Sequence, residues 1–150
     1  MAAANTSSGR RKAALIGALI ALCFSVGYRG AQSRDFGQWA NEDPAMRQWY
    51  QTLMQPDNPA TSCCGEADAY WCDDPHSKKD YLGKVHNYCT ISDDRDDALL
   101  RRRHVDIGTE IEIPDNKMLK QGQGNPTGHG VVFMGPTGRM VYCYAFGGGL

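Results

Sequence analysis

Residues 130–146 read GVVFMGPTGRMVYCYAF, and this stretch carries the clearest structural signal in the 150-residue chain. Two runs rich in β-branched and aromatic residues flank the GPTG sequence of residues 135–138, which is typical of a tight turn. The pattern predicts an antiparallel hairpin made of residues 130–134 and 139–146. This hairpin is the basis for predicting a small antiparallel sheet.

Upstream segments supply the other predicted strands. Residues 81–91 (YLGKVHNYCTI) are enriched in β-forming residues, and residues 104–113 (HVDIGTEIEI) alternate between apolar and polar side chains. The alternation predicts a hairpin or a bulged strand with one buried face, which ends in a turn at Pro114. Loops are predicted at three polar, turn-rich segments: residues 56–61 (PDNPAT), 71–80 (WCDDPHSKKD) and 121–128 (QGQGNPTG).

Two helices are predicted. Asp43 and Pro44 are a typical cap and first residue, and an apolar stripe follows, made of Met46, Trp49, Tyr50, Leu53 and Met54. The second helix spans residues 92–103 (SDDRDDALLRRR), with Ser92 as its N-cap, acidic residues in its first turn and arginines in its last. That order matches the helix dipole. An EF-hand calcium loop is the alternative interpretation, but the segment lacks the required glycine and bidentate glutamate.

The fold class that follows from these elements is α+β. An N-terminal amphipathic helix packs on an antiparallel sheet of four or five strands, and disulfides staple the domain. The sequence leaves open whether the sheet closes into a barrel. A chain of this length allows one such domain, which is predicted at residues 34–146, followed by a flexible glycine tail at residues 147–150.

The N-terminal segment has the features of an export signal. Arg10, Arg11 and Lys12 precede the uncharged run AALIGALIALCFSV of residues 13–26, and the first acidic residue is Asp35. The run is shorter than the roughly 20 residues of a membrane-spanning helix and fits the about 7–15 apolar residues of a signal peptide. Residues 1–33 are therefore predicted to direct the protein to the periplasm or out of the cell. If this segment is not cleaved, residues 13–28 tether the protein to the inner membrane.

The charge balance argues against one class of partner. Eleven of the 16 Lys and Arg residues but all 17 Asp and Glu residues follow residue 34, so this part has a net charge of −6 with neutral histidines. Nonspecific nucleic-acid binding requires a basic face that displaces counterions. We therefore expect no nucleic-acid partner, and we expect membrane contact only through an uncleaved N-terminal segment.

Five cysteines follow the signal segment: Cys63, Cys64, Cys72, Cys89 and Cys143. In an oxidising compartment their expected use is in disulfides, which also stabilise a small core. The adjacent Cys63 and Cys64 are expected to bond two different partners, because a bond between neighbours closes a strained ring. Cys143 and Cys72 are the predicted partners, which leaves Cys89 free, although Cys72 and Cys89 could exchange roles.

A metal site is a second use of these residues. Cys72 with His76 and His86 with Cys89 have ligand-like spacing, and zinc or copper would accept such a set. The spacing is not specific, because structural zinc sites usually show two tighter ligand pairs.

A thiol-dependent enzyme is the third hypothesis, with a cysteine nucleophile next to His104 or His129. The chain has no nucleotide-binding loop, no G-x-S-x-G elbow and no H-E-x-x-H motif. The leading prediction is therefore a noncatalytic module without a cofactor, which binds an envelope component or another protein.

Five short motifs are spread over residues 46–146: Trp49-Tyr50-x-x-Leu53, Ser62-Cys63-Cys64-x-x-Ala67-Asp68, Ile111-Glu112-Ile113-Pro114, Asn125-x-x-Gly128 before Val131-Val132-Phe133, and Cys143-Tyr144. In this combination the chain resembles an uncharacterised family of small exported proteins from alphaproteobacteria and some of their phages. The cysteine-pair motif is the most specific of the five. The chain departs from the family in a longer segment, predicted as a loop-and-helix insertion at about residues 71–103. The resemblance implies export and a shared disulfide frame, and it supplies no catalytic residues.

Overall fold

The structure is a computed structural model, and it describes residues 42–120 and 124–148. The predicted signal or anchor of residues 1–33 lies outside the described residues. Within them, no helix is long and apolar enough to cross a membrane. The elements in chain order are α1 (Pro44–Thr52), β1 (Met54–Gln55), β2 (Asn58–Ser62), β3 (Asp68–Lys79), β4 (Val85–Ile91), α2 (Asp97–Leu100), β5 (Glu110–Ile113), a 3-10 turn (Asp115–Lys117), β6 (Val131–Met134) and β7 (Val141–Ala145).

Five strands form one antiparallel sheet in the order β5-β4-β3-β6-β7, and β1 and β2 form a separate two-stranded sheet. The C-terminal hairpin predicted from the sequence is confirmed. Val131 lies opposite Ala145 and Phe133 opposite Cys143, and the GPTG turn joins the two strands. The described fold is mostly β-sheet, so its helices contribute less than the predicted α+β class implies.

The large sheet curls into a half-barrel. Strands β5 and β7 are its two edges, yet Met118, which lies five residues after the end of β5, already forms a bridge with Tyr144 of β7. The backbone N–H of Leu119 then donates to the Tyr144 carbonyl at 2.8 Å. The short 3-10 turn after β5 therefore brings the chain to the other edge of the sheet. The two edges are joined by a single bridge and not by a complete ladder of hydrogen bonds, so the barrel is not closed.

Both faces of the sheet are covered, because successive residues of a strand point to opposite sides. The outer face packs against Trp49, Tyr50 and Leu53 of the α1 segment, and the Tyr50 ring meets Phe133 edge-on at 5.8 Å. The inner face carries a second buried cluster, made of Tyr70, Cys72, Cys89, Ile91, Ile113, Val132, Met134 and Tyr144. The sheet thus separates two apolar layers, one under α1 and one inside the curl.

The structure differs from the predictions at the polar segments. Residues 56–61 and 71–80 were predicted as loops, but they contribute to β2 and to the long strand β3. The second half of strand β3, residues 73–79, is largely exposed on both faces and is therefore almost entirely polar. It lacks the alternation of apolar and polar residues by which a strand is recognised in a sequence. Much of residues 71–103 therefore forms the central β3–β4 hairpin rather than a loop, and an insertion relative to the family stays a prediction.

The predicted helix at residues 92–103 is also wrong in extent. Only α2 is helical, its cap is Asp96 rather than Ser92, and Arg101 ends it with a left-handed φ of 52°. The dipole argument fails for Asp93, because that carboxylate turns inward to bind arginines. Ile107, predicted on a buried face, is exposed in a turn.

The start of the predicted glycine tail is packed rather than free. A Cβ atom at Gly147 would lie 2.3 Å from the backbone nitrogen of Gly130, so the two backbones touch at a distance that only glycine permits. Close packing on the sheet therefore continues beyond the predicted domain end at residue 146.

Candidate functional site

Two disulfides cross-link the domain. Cys63 is bonded to Cys143 and Cys72 to Cys89, while Cys64 is a free, buried thiol. The predicted pairing differs from this on two counts, since Cys89 is bonded and Cys64 is not. Strand pairing is the reason: it places Cys72 and Cys89 on adjacent strands with their Cα atoms 5.4 Å apart. Both bonds indicate an oxidising, non-cytoplasmic environment.

The free thiol is not arranged as a nucleophile. Cys64 Sγ donates to the carbonyl oxygen of Tyr50 at 3.0 Å, and burial raises the pKa of the thiol far above its ordinary value. A nucleophilic cysteine requires the opposite change, a depressed pKa beside a cation or a base. His104 bonds Asp97 and Asp106 instead, and His129 bonds Asp73, so neither predicted base contacts the thiol.

The predicted metal set is not assembled. Cys72 and Cys89 are bonded to each other inside the curl, whereas His76 and His86 are only partly buried and bind the carboxylates of Glu110 and Glu112. Among residues 42–120 and 124–148, no group of three or more His, Cys, Asp or Glu side chains is placed to hold a metal ion. The ligand-like spacing reflects positions along two paired strands, whose disulfide faces away from the histidines.

A cluster that the sequence did not indicate forms around Asp73. Its Oδ2 accepts from Ser92 Oγ at 2.6 Å and from His129 Nδ1 at 2.9 Å, and its Oδ1 accepts from the backbone N–H of Gly130 at 2.8 Å. Partial burial raises the pKa of Asp73, but these hydrogen bonds outweigh it and hold the pKa below its ordinary value. No local motif could reveal the cluster, because its members come from separate parts of the chain.

The His129 ring is held in one orientation. It stacks on Trp71 with centroids 4.1 Å apart, its Nδ1 lies 2.9 Å from Asp73 Oδ2, and the side chain that carries Nε2 is 39% exposed. Within the described part of the chain, no hydroxyl or thiol donates to Nε2, so the pair lacks the nucleophile of a hydrolytic triad. Its visible effect is to fix the loop before β6 against β3.

Asn125 completes that loop attachment. Its side-chain amide donates to the carbonyl oxygens of His129 and Phe146, at 2.7 and 2.9 Å, and its Oδ1 accepts from the N–H of Thr127. An aspartate could not donate in this way, which explains why asparagine begins the N-x-x-G motif. The motif is therefore a structural one in this chain.

A buried ion-pair network lies where β4 has separated from β3. Asp93 Oδ2 accepts from the Trp71 N–H at 2.9 Å, from Arg95 Nη2 at 2.7 Å and from Arg102 Nη1 at 2.6 Å. The Ala69 carbonyl in turn accepts from Arg102 Nη1 at 2.7 Å. These side chains satisfy backbone groups of β3 that β4 no longer pairs, so the network takes the place of a strand.

The mouth of the half-barrel holds a shallow hollow of about 270 Å³, lined by Arg103, His104, Val105, Asp106, Thr109, Ile111, Met134 and Gly138. Its polar groups already bind one another or the backbone: His104 bonds Asp106, and Arg103 donates to the Thr137 carbonyl. A hollow of this size is at the lower limit for small-molecule sites, which measure roughly 300–1,000 Å³.

The outer end of the β3–β4 hairpin is the most exposed apolar feature of the described chain. Tyr81 is 94% exposed and Leu82 is 76% exposed, and Val85 beside them is also exposed. Lys79 and Lys84 flank the turn. We call residues 78–85 the hairpin tip. The sequence indicated a strand at Tyr81 because of its composition, and only the structure places it on a turn.

No model of a known protein family matches the chain, and neither a curated protein nor a solved structure matches it.

Proposed function

We propose that the protein is an exported, noncatalytic module, stabilised by two disulfides, that binds a component of the cell envelope. The observation that carries the proposal is the pair of disulfides, Cys63–Cys143 and Cys72–Cys89, built into the two apolar layers of the sheet. Such bonds persist in the periplasm or outside the cell and are rare in a reducing cytosol.

The N-terminal sequence supports the same compartment. Arg10, Arg11 and Lys12 before an uncharged run of 14 residues are typical of a signal segment. The resemblance to a family of small exported proteins agrees with this interpretation. If the segment is retained, residues 13–28 hold the domain at the inner membrane.

A binding role is supported by the state of the reactive groups. The thiol of Cys64 is buried with a raised pKa, and the imidazole of His129 is engaged by Asp73 and Trp71, with no hydroxyl or thiol of residues 42–120 and 124–148 bonded to it. The described residues therefore offer a disulfide-cross-linked body and an exposed hairpin tip. That combination suits a module that presents a surface.

The test is intact-mass analysis of the full chain expressed in a bacterium and recovered from the periplasm. We expect two disulfides, and alkylation after unfolding without reductant should modify Cys64, plus Cys23 if the signal segment is retained. A variant with residues 13–26 deleted is the control, and it should remain in the cytosol with its cysteines reduced. A periplasmic protein with all its cysteines alkylatable would contradict the proposal. Near-stoichiometric zinc or copper in it would favour the metal-binding alternative.

A further inference from the structure

The hairpin tip projects beyond the rest of the sheet. Strand β6 pairs with β3 only over residues 68–71, and β5 pairs with β4 only over residues 87–90. Beyond these, Lys78 pairs with His86 and Lys79 with Val85, and the turn follows. Asn87 is the last residue of this end that pairs with a third strand. With a rise of about 3.3 Å per strand residue, the two residue pairs and the turn extend about 10 Å beyond it.

The turn at the end is nevertheless ordered. Asp80 Oδ1 accepts from the N–H groups of Leu82 and Lys84, at 2.8 and 2.9 Å, and Gly83 adopts a φ of +80°, which glycine allows at no steric cost. The backbone N–H of Asp80 also donates to the Lys84 carbonyl at 2.9 Å. Tyr81 and Leu82 are therefore held outward by a fixed backbone, and ordering the tip on binding costs little entropy.

The charge around the tip is opposite to that of the domain. Three lysines and one aspartate lie within residues 78–85, whereas residues 35–150 together carry a net charge of −6. Lys78 is bound by Glu110, but Lys79 and Lys84 form no ion pair within the described part of the chain. The free positive charges thus lie on both sides of the exposed apolar pair.

The size and shape of the tip favour one class of partner. Two side chains expose on the order of 300 Å², well below the roughly 800 Å² per partner of a standard protein interface. A lipid surface requires no such matched area. It accepts a convex tip, with tyrosine at the headgroup level, an aliphatic side chain among the upper acyl chains and lysines beside anionic phosphates.

We propose that the hairpin tip inserts into the surface of an anionic phospholipid bilayer. The inference rests on the proposed function and names its envelope component. It also adds a membrane contact where the sequence indicated one only at the N-terminus. The acidic body of the domain is repelled by the same surface, so the tip approaches it first.

The test uses the full chain recovered from the periplasm, with both disulfides verified by mass beforehand. Vesicles of phosphatidylethanolamine and phosphatidylglycerol in a 3:1 ratio are compared with neutral phosphatidylcholine vesicles by sedimentation. We expect binding to the anionic vesicles, weakened by salt. The variant K79Q/K84Q should bind about 30-fold more weakly, from a factor of about five per lysine. The variant Y81S/L82S should lose binding to a similar degree or more.

Matched controls separate the tip from the rest of the surface. Leu99 and Ile107 are also exposed apolar residues outside the tip, so L99S/I107S should bind vesicles like the parent protein. A tryptophan at the tip, Tyr81→Trp, should shift its emission to shorter wavelength on anionic vesicles, whereas Ile107→Trp should not.

Three outcomes overturn the inference. They are equal binding to neutral and anionic vesicles, unchanged binding by both tip variants, and tip variants that keep vesicle binding but lose a protein partner in pull-downs from periplasmic extract. The last outcome assigns the tip to a protein. None of the three affects the disulfide and export measurements, so failure of this inference is distinguishable from failure of the proposed function.

Discussion

Asp93 and Arg102 form an ion pair in which Asp93 Oδ2 lies 2.6 Å from Arg102 Nη1, and their side chains are only 1% and 3% exposed. The pair is fully hydrogen-bonded. Asp93 also accepts from the Trp71 N–H and from Arg95, and Arg102 also donates to the Asp97 carboxylate and to the carbonyl oxygens of Ala69 and Arg95. A buried ion pair of this kind contributes little more to the free energy of unfolding than apolar residues in its place would. Removing one partner is costly, however, because it leaves a buried charge uncompensated. The pair therefore fixes the segment after β4 against the first residues of β3, where β4 no longer pairs with that strand.

Replacement of Asp93 by alanine should destabilise the domain strongly. The change leaves the buried Arg102 with Asp97 as its remaining carboxylate partner and leaves the Trp71 N–H without an acceptor. The expected loss is about 3 kcal/mol of unfolding free energy, the lower end for a broken buried pair. Urea unfolding followed by circular dichroism measures it. Asp94→Ala, at an exposed neighbouring position, is the matched control and should change stability by no more than about 0.5 kcal/mol. Equal midpoints for the two variants would show that the network is not stabilising.

The same carboxylate predicts acid sensitivity. Desolvation raises the pKa of Asp93, but hydrogen bonds from Arg95 and Arg102 outweigh it and hold the pKa well below its ordinary value. A depressed folded-state pKa contributes stability above the ordinary carboxyl pKa, and this is lost as the pH falls toward the folded value. The Tm of the parent protein should therefore fall more steeply between pH 5 and pH 2.5 than that of Asp93→Asn, measured by calorimetry. Parallel curves would contradict this assignment.

The two disulfides should contribute different amounts to the free energy of unfolding. Cys63 and Cys143 are 80 residues apart, and Cys72 and Cys89 are 17 apart. The chain-entropy model gives about 4.5 kcal/mol for the longer loop and about 3 kcal/mol for the shorter. Denaturant unfolding of C63A/C143A and C72A/C89A tests this order, and each variant is the control for the other. A larger loss in C72A/C89A would mean that packing inside the curl outweighs loop entropy.

Cys64 should be unreactive until the domain unfolds. Burial raises the pKa of its thiol, and alkylation requires the thiolate. In a Cys23→Ser background, iodoacetamide at pH 8 should label native Cys64 about 100-fold more slowly than a cysteine placed at exposed Asp94, as measured by mass spectrometry. After unfolding in urea both should react at the same rate. Rapid labelling of the native protein would place Cys64 in an accessible, activated environment and revive the thiol-enzyme hypothesis.

The elements that the sequence predicts correctly are those whose signals are local. The β6–β7 hairpin has apolar runs on both sides of a recognisable turn, and the 3-10 turn follows Pro114 as expected. Strand β3 could not be identified in the same way, because beyond Cys72 it has no continuous buried face and so shows no alternation of burial. The sequence places Asp93 in a helix, because nothing local shows that its carboxylate turns inward to accept from the Trp71 N–H of β3, 22 residues away.

The site could be predicted only in part. The cysteines indicate a disulfide-bonded domain, but their partners depend on strand register, which the sequence does not reveal at polar strands. The Asp73–His129 pair joins residues that are distant along the chain. Tyr81 has the composition of a strand residue, and its exposure follows only from the length by which β3 and β4 outreach their neighbours.

The long hairpin has a consequence for proteolysis. Both disulfides connect chain that precedes the hairpin tip with chain that follows it, since Cys63 and Cys72 lie before it and Cys89 and Cys143 lie after it. A protease that clips the backbone after exposed Lys79 or Lys84 therefore releases no fragment. Apart from one added water, the clipped protein has the mass of the intact one, so the two run alike on a non-reducing gel. Its body stays folded around the two cross-links. Only the continuity of the backbone at the hairpin tip is broken, and only reduction separates the two halves.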